Sequence, residues 1–357
     1  RPDGGDLQQL TTHDEYDVRW PDAHDGRVVY MHGGDLWLLD VATCQTRCVP
    51  ITLPSDRVRT RLRYPDATPT LRTYGLNHDG QRIVLAARGE VWERPTRPGR
   101  TVPLTQTPGI RERAPALSPD GTQVAVISDE TGEQELVLLD ARGQAPPRRL
   151  TSQGRGWLFP PIWSPDGQRL AYADLTMTLY LVDVASGAVT TVDHSPVWEI
   201  TEYAFSPDGK WLAYTKPEAE DVSSIYLYDI AAGRALAITD SFTDDTNPVW
   251  DPEGRFLYFL SKRTLNPLLS ERDFEHIITQ TTKPYAVLLA RGTVSPFLAR
   301  ELQPQRPEPP KPPPTDEDEE DGAEPPKPPT PPPGPRELPK MTVDLDGLAQ
   351  RIVEFPV

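Results

Sequence analysis

Apolar residues in this chain come in short runs separated by turns, and the turns repeat. Ala23-His-Asp-Gly26, Asn77-His-Asp-Gly80, Ser118-Pro-Asp-Gly121, Ser164-Pro-Asp-Gly167, Ser206-Pro-Asp-Gly209 and Asp251-Pro-Glu-Gly254 share one design. Pro presets φ at the second turn position, Asp bonds nearby backbone, and Gly takes positive φ. From Gly80 to Gly254 the glycines lie 41, 46, 42 and 45 residues apart; the first interval, Gly26 to Gly80, is 54, which places a longer connection around 52–70.

Each turn leads into an apolar run such as Gln123-Val-Ala-Val126, Arg169-Leu-Ala-Tyr172 or Trp211-Leu-Ala-Tyr214. A second run follows and ends at Asp, as in Asp35-Leu-Trp-Leu-Leu-Asp40, Glu135-Leu-Val-Leu-Leu-Asp140 and Thr178-Leu-Tyr-Leu-Val-Asp183. A Gly-type turn and a closing run such as Arg148-Arg-Leu-Thr151 complete the unit. Apolar, aromatic and β-branched residues bounded by turn signals predict strands. About four strands in ~40–45 residues is the period of a propeller blade. The near-continuous apolar runs fit sheets covered on both faces, and Trp37, Tyr180, Trp211, Tyr226 and Tyr258 are expected to pack between blades. No 10–15-residue helical period separates the strands, which excludes an α/β sheet. Leu268 to Ile278 reads as a short helix or an irregular insertion.

The expected fold is therefore an all-β propeller of four-stranded blades, with six recognisable blades and part of a seventh. Residues 1–12 read as the end of a preceding unit or an edge strand, 13–302 as the propeller, and 339–357 as the start of a further blade. Between them, 303–338 is a tract of Pro, Glu, Asp and Lys: 16 of the 42 prolines lie between 304 and 339. It has too few apolar residues to offset its ordering entropy, so it is expected to be disordered. Its run Asp316-Glu-Asp-Glu-Glu-Asp321 lacks the central Gly of a calcium loop and reads as a solvated spacer.

Charge narrows the partners. Acids outnumber bases 53 to 37, a net charge of −16. Phosphate binding needs a basic footprint, so no nucleic-acid partner is expected, and no anionic membrane surface either. No apolar run is long enough to span a membrane. The N-terminus carries neither an initiator Met nor a signal pattern, and the segment reads as an excerpt or a processed chain.

Several longer stretches carry a family resemblance. They include Gln9-Leu-Thr-Thr-His-Asp-Glu-Tyr-Asp-Val-Arg-Trp-Pro21, Gly109-Ile-Arg-Glu-Arg-Ala-Pro115, Phe259-Leu-Ser-Lys-Arg-Thr-Leu-Asn-Pro267 and Val343-Asp-Leu-Asp-Gly-Leu-Ala-Gln-Arg-Ile-Val353. In this order they resemble the second, seven-bladed propeller of bacterial tricorn-like peptidases; the Ser-Pro-Asp-Gly repeats alone are also similar to TolB-type propellers. The tricorn resemblance implies a parent serine peptidase (a hydrolase) with PDZ and peptidase domains, acting on oligopeptides, forming a homo-oligomer and residing in the cytoplasm. It implies that this segment guides substrates or products to and from a catalytic domain lying C-terminal to it. The alternative is a TolB-like protein-binding scaffold without hydrolysis. A propeller cap of a prolyl-oligopeptidase-like enzyme ranks third. The chain departs from the family pattern in its long acidic tract and in Cys44, which stands where the family turn commonly has Gly.

No catalytic motif is present: no Gly-x-Ser-x-Gly, His-Glu-x-x-His, Walker loop or Gly-x-Gly-x-x-Gly. No histidine pair has zinc spacing, and His24 and His78, at equivalent turn positions, read as structural. No catalytic residue, metal or cofactor is expected. Cys44 and Cys48, alone in the chain, read as free thiols. Function is then expected in the channel, lined by the strand preceding each turn. Its candidates are Arg72, Arg111, Arg113, Glu199, Asp244 and Asp245, with Trp157 and Phe159 as apolar contacts. Arg can hold a peptide carboxylate and the acids an amine; the competing reading is that these charges only pair across blades.

Overall fold

The computed structural model describes residues 7–52, 66–77, 79–152, 156–219, 222–264, 281–297 and 338–356, with a few residues between these ranges. The chain divides into two compact units, Arg1–Pro65 and Asp66–Val357. The expected disordered tract at 303–338 lies almost wholly outside the described residues.

The first unit holds one four-stranded antiparallel sheet: Val18–His24, Arg27–His32, Asp35–Asp40 and Gln45–Cys48, each paired with the next. Its first strand is exposed throughout. Residues 7–14 form no strand, so the expected edge strand at 1–12 is absent from the described residues. Cys44 occupies the turn before the last strand at φ +55°, the left-handed conformation that favours glycine. Asp40 fixes this turn by accepting the N–H groups of Ala42 and Thr43 and the Thr43 hydroxyl, and those bonds hold its carboxyl below the usual range. Both cysteines are free and exposed.

Among the described residues, the second unit contains five more such sheets. Sheet 2 is Leu71–Leu76, Arg82–Ala87, Glu90–Pro95 and Val102–Pro103; sheet 3 is Glu112–Leu117, Gln123–Ser128, Glu135–Asp140 and Arg148–Arg149. Sheet 4 is Ile162–Trp163, Arg169–Ala173, Thr178–Asp183 and Val189–His194; sheet 5 is Tyr203–Phe205, Trp211–Ala219, Val222–Asp229 and Arg234–Ala237. Sheet 6 is Asp245–Trp250, Phe256–Ser261, Lys283–Leu288 and Ile352–Glu354.

One expectation needs correction here, and another narrows. Residues 339–357 do not open a further blade: Ile352–Glu354 pairs with Tyr285–Val287 and closes sheet 6. Arg351 secures the return by donating to the carbonyls of Leu288 (2.9 Å) and Leu289 (3.1 Å), and Lys283 pairs with Glu354 at 2.6 Å. Of the two readings of Leu268 to Ile278, the insertion stands and the helix is not found among the described residues: Pro267–Leu269 and His276–Ile278 pair as a small antiparallel ribbon between the second and third strands of sheet 6.

The repeated corner explains itself in atoms. In Ser206-Pro-Asp-Gly209 the Gly209 N–H donates to the Ser206 carbonyl at 2.9 Å. The Ser206 hydroxyl donates to Asp208 and accepts the Trp211 N–H at 2.9 Å. Ser118 and Ser164 do the same, and Asn77 and Asp251 supply a side-chain oxygen at the same place. The first corner differs. Ala23 has no such oxygen, and the chain turns in two residues, Asp25 and Gly26, both at positive φ, with His24 paired to Arg27. This is the tight hairpin geometry of two consecutive left-handed residues. His24 is thus a strand residue and not a corner residue; His78 lies outside the described residues.

Strand alternation stacks the sheets of the second unit. Val124 and Val126 of sheet 3 join Val84, Ala86 and Val91 of sheet 2 in one buried cluster. Their neighbours Ala125 and Ile127 join Leu158, Leu170 and Tyr172 of sheet 4. The period of two sends successive side chains to opposite faces. The same holds between sheets 4 and 5 and between sheets 5 and 6. Tyr180, Tyr226 and Trp211 pack against these inter-sheet clusters as expected. Polar ties cross each seam: the Trp163 indole donates to the Ala116 carbonyl at 2.8 Å, and the Trp250 indole to Ala204 at 2.9 Å.

Candidate functional site

Arg111 immediately precedes the first strand of sheet 3, which Glu112 and Arg113 open. Period-two alternation puts the two arginines on one face and Glu112 on the other. The Arg113 guanidinium lies over the Trp157 ring, 3.7 Å from its centroid, and Arg111 sits 5.7 Å from the same centroid. Arg113 is pinned: Nη2 donates to Gln134 Oε1 and to the Leu158 carbonyl, both at 2.5 Å. Burial, and then the charge of Arg111, pushes Arg113 down to about 10, so it still carries its proton at neutral pH. Arg111 is exposed; its backbone N–H donates to Asp129 at 2.7 Å. Trp157 is 38% exposed. Two guanidinium groups beside one accessible indole make a positive, partly desolvated surface suited to a carboxylate.

The other expected site residues do not join this group. Arg72 is exposed on the first strand of sheet 2, and Glu199 is half-buried before sheet 5. Phe159 packs into the seam between sheets 4 and 5. Asp244 is held by Lys262 at 2.7 Å and accepts the Ser223 N–H. Asp245 is fully buried and pairs with Arg263 at 2.9 Å. It is a structural carboxylate, not a rim contact.

Other polar clusters are ties between strands. Glu90 accepts the Thr105 hydroxyl at 2.7 Å while Thr105 accepts the Val91 N–H; Glu135 and Thr151 repeat the arrangement. In the first unit the His13 and His32 rings stack with centroids 3.9 Å apart. Among the described residues no group of three or more His, Cys, Asp or Glu is placed to hold a metal ion, and no helix is long and apolar enough to cross a membrane. Sequence reading passed over Glu112 because its arginine neighbours drew attention. Its signal was available: it lies six residues before its corner, where three of the four equivalent residues, Leu71, Leu158 and Ile200, are apolar and only Asp245 is also an acid.

Residues 71–357 match the family model described as the tricorn protease second beta propeller domain. The chain belongs to this family. Its stacked four-stranded sheets are the blades of that propeller fold. Tricorn protease homolog 1 of Streptomyces coelicolor is 32% identical over 99% of this chain and 32% of its own length. A putative tricorn-like protease C-terminal subunit of Sulfurisphaera tokodaii is 30% identical over 83% of this chain and 33% of its own length. The crystal structure of the tricorn protease superposes with a TM-score of 0.63 at 19% identity, covering 99% of this chain and 31% of that one. This tricorn propeller chain thus spans about a third of the length of the relatives it matches.

Proposed function

We propose that this chain is a non-catalytic propeller segment of a tricorn-like serine peptidase, and that it guides oligopeptides to and from a catalytic domain C-terminal to it. The observation that carries this reading is the family match over 71–357. Relatives about three times as long leave room for PDZ and peptidase domains on the same parent chain, with a homo-oligomeric, cytoplasmic assembly as the setting. The surface formed by Arg111, Arg113 and Trp157 supports the peptide-guiding part. A C-terminal carboxylate would bind Arg111 directly, with Arg113 reinforcing the field from its fixed place on the indole.

The test is fluorescence anisotropy of labelled oligopeptides, with free or amidated C-termini, against the 357-residue chain. Free termini are expected to bind more tightly, and Arg111→Ala with Arg113→Ala to weaken them about tenfold, the loss of one charge-assisted contact. No cleavage is expected in the same tubes. Equal binding of both peptide forms by the double variant and the parent would remove this surface from the proposal; hydrolysis by this chain alone would overturn the non-catalytic reading.

A further inference from the structure

Five equivalent positions, six residues before each corner of the second unit, hold Leu71, Glu112, Leu158, Ile200 and Asp245. Leu71 is exposed, whereas Leu158 and Ile200 are buried. Glu112 and Asp245 are buried as well, at 5% and 0% exposure, yet they carry carboxylates. Their surroundings match closely. Each pairs in register with a buried serine, Ser128 or Ser261, and each accepts a threonine hydroxyl, from Thr107 at 2.6 Å or Thr243 at 3.0 Å. The N–H two residues beyond each serine donates to its hydroxyl.

The two sites differ in the charge at one place. Beyond Ser261 comes Arg263, whose guanidinium pairs with Asp245 and donates to Ser261. Beyond Ser128 the same place holds Glu130, an acid. Among the described residues Glu112 therefore has no cation paired with it. Its Oε2 is buried and receives no hydrogen bond among the described residues. The nearby Thr105 donates its hydroxyl proton to Glu90 instead. Glu112 lines a cavity of about 150 Å³ between sheets 2 and 3, with Thr107, Ser128 and Glu130 as further polar walls and Val137 and Leu139 as apolar ones.

We propose that this cavity receives a guanidinium or ammonium group from a bound oligopeptide, which takes the place that Arg263 fills in sheet 6. Glu112 and Glu130 supply the two negative charges, the hydroxyls supply acceptors, and the apolar wall takes the methylene stem of an Arg or Lys side chain. That the cation comes from a peptide rests on the guiding role proposed above; the cation site itself rests on the geometry alone.

Isothermal titration of the 357-residue chain would use N-acetyl-arginine methylamide, calcium chloride, and a pair of oligopeptides differing only in arginine or citrulline at one position. The arginine compounds should bind, and citrulline should weaken the peptide at least tenfold. Glu112→Gln should cost about tenfold or more, because a buried charge pair loses one partner. Glu130→Arg transplants the sheet 6 arrangement; it should abolish binding while raising the thermal midpoint, which shows that the variant is folded and its cavity filled from within. Peptide binding indifferent to citrulline and to Glu112→Gln would overturn the cation site and leave the guiding role standing. Glu112-dependent binding of the small arginine compound without any peptide binding would do the reverse. Calcium binding in place of the arginine compounds would overturn the organic-cation assignment.

Discussion

Single residues in this chain carry costs that their neighbours explain. Cys44 holds φ +55° at a turn whose counterparts in other sheets are Gly143, Gly187 and Gly233, all at positive φ. A non-glycine residue there is strained by roughly 1–2 kcal/mol, partly offset by the greater freedom of glycine in the unfolded chain. Cys44→Gly is expected to stabilise the first sheet by about 0.5–1 kcal/mol, read as slower hydrogen exchange in peptides covering 35–48. Glu112 carries a different cost. Burial holds its carboxyl above the usual range; the Thr107 hydroxyl opposes this and the Glu90 charge adds to it. Folding therefore raises the proton affinity of this residue. Its contribution to stability is fully present below the unfolded value and is lost as pH rises through the raised folded one. Glu112→Gln cannot ionise, so it should resist urea better than the parent at pH 7, with the difference closing as the pH falls to about 4, near the ordinary glutamate value.

Elements show what local pattern reveals and what it leaves open. The corners were legible because Pro, Asp and Gly each impose a backbone preference within four residues. Ser206 shows how much one corner holds: its hydroxyl serves both Asp208 and the Trp211 N–H in a buried setting. Ser206→Ala strands the Trp211 N–H and takes one donor from Asp208, which keeps Lys210, and is expected to cost about 1–3 kcal/mol in chemical denaturation. The first corner was misread because Asp-Gly is common to both turn types, while the deciding atom, the missing side-chain oxygen of Ala23, is easily passed over. The closing strand of sheet 6 was misread for another reason. Ile352-Val-Glu354 has the pattern of a strand, but nothing local says that its partner lies at Tyr285–Val287. The same limit hid the site. That Arg113 and Trp157 would meet depends on how sheets 3 and 4 stack, whereas the acids Glu112 and Asp245, at the place held elsewhere by Leu71, Leu158 and Ile200, could be read from aligned corners.

At the scale of the whole molecule, the second unit is a series of seams, each closed by an apolar cluster and a few polar ties. Arg82 is the tie between sheets 2 and 3: it pairs with buried Glu93 at 2.8 Å and donates to the carbonyls of Gly121 (2.7 Å) and Ala141 (3.1 Å). Arg82→Met keeps the methylene stem but leaves Glu93 uncompensated, a loss of about 3 kcal/mol for a buried pair broken on one side. Hydrogen exchange should rise across 71–103 while the strands of sheets 4 and 5 keep their protection. Equal loss everywhere would mean that the seams unfold as one unit.

The return of the chain to sheet 6 has a consequence for its upkeep. The third strand of sheet 6 ends at Leu288 and the fourth begins at Ile352, and the return is anchored by Arg351, Lys283 and the buried Leu348. The entropy of closing such an excursion grows only with the logarithm of its length, about 0.6 kcal/mol per doubling. A change in the number of residues between those ends is therefore expected to alter stability little. A chain severed there should stay a single particle of two polypeptides, its final strand held in place by side chains after the peptide link is gone.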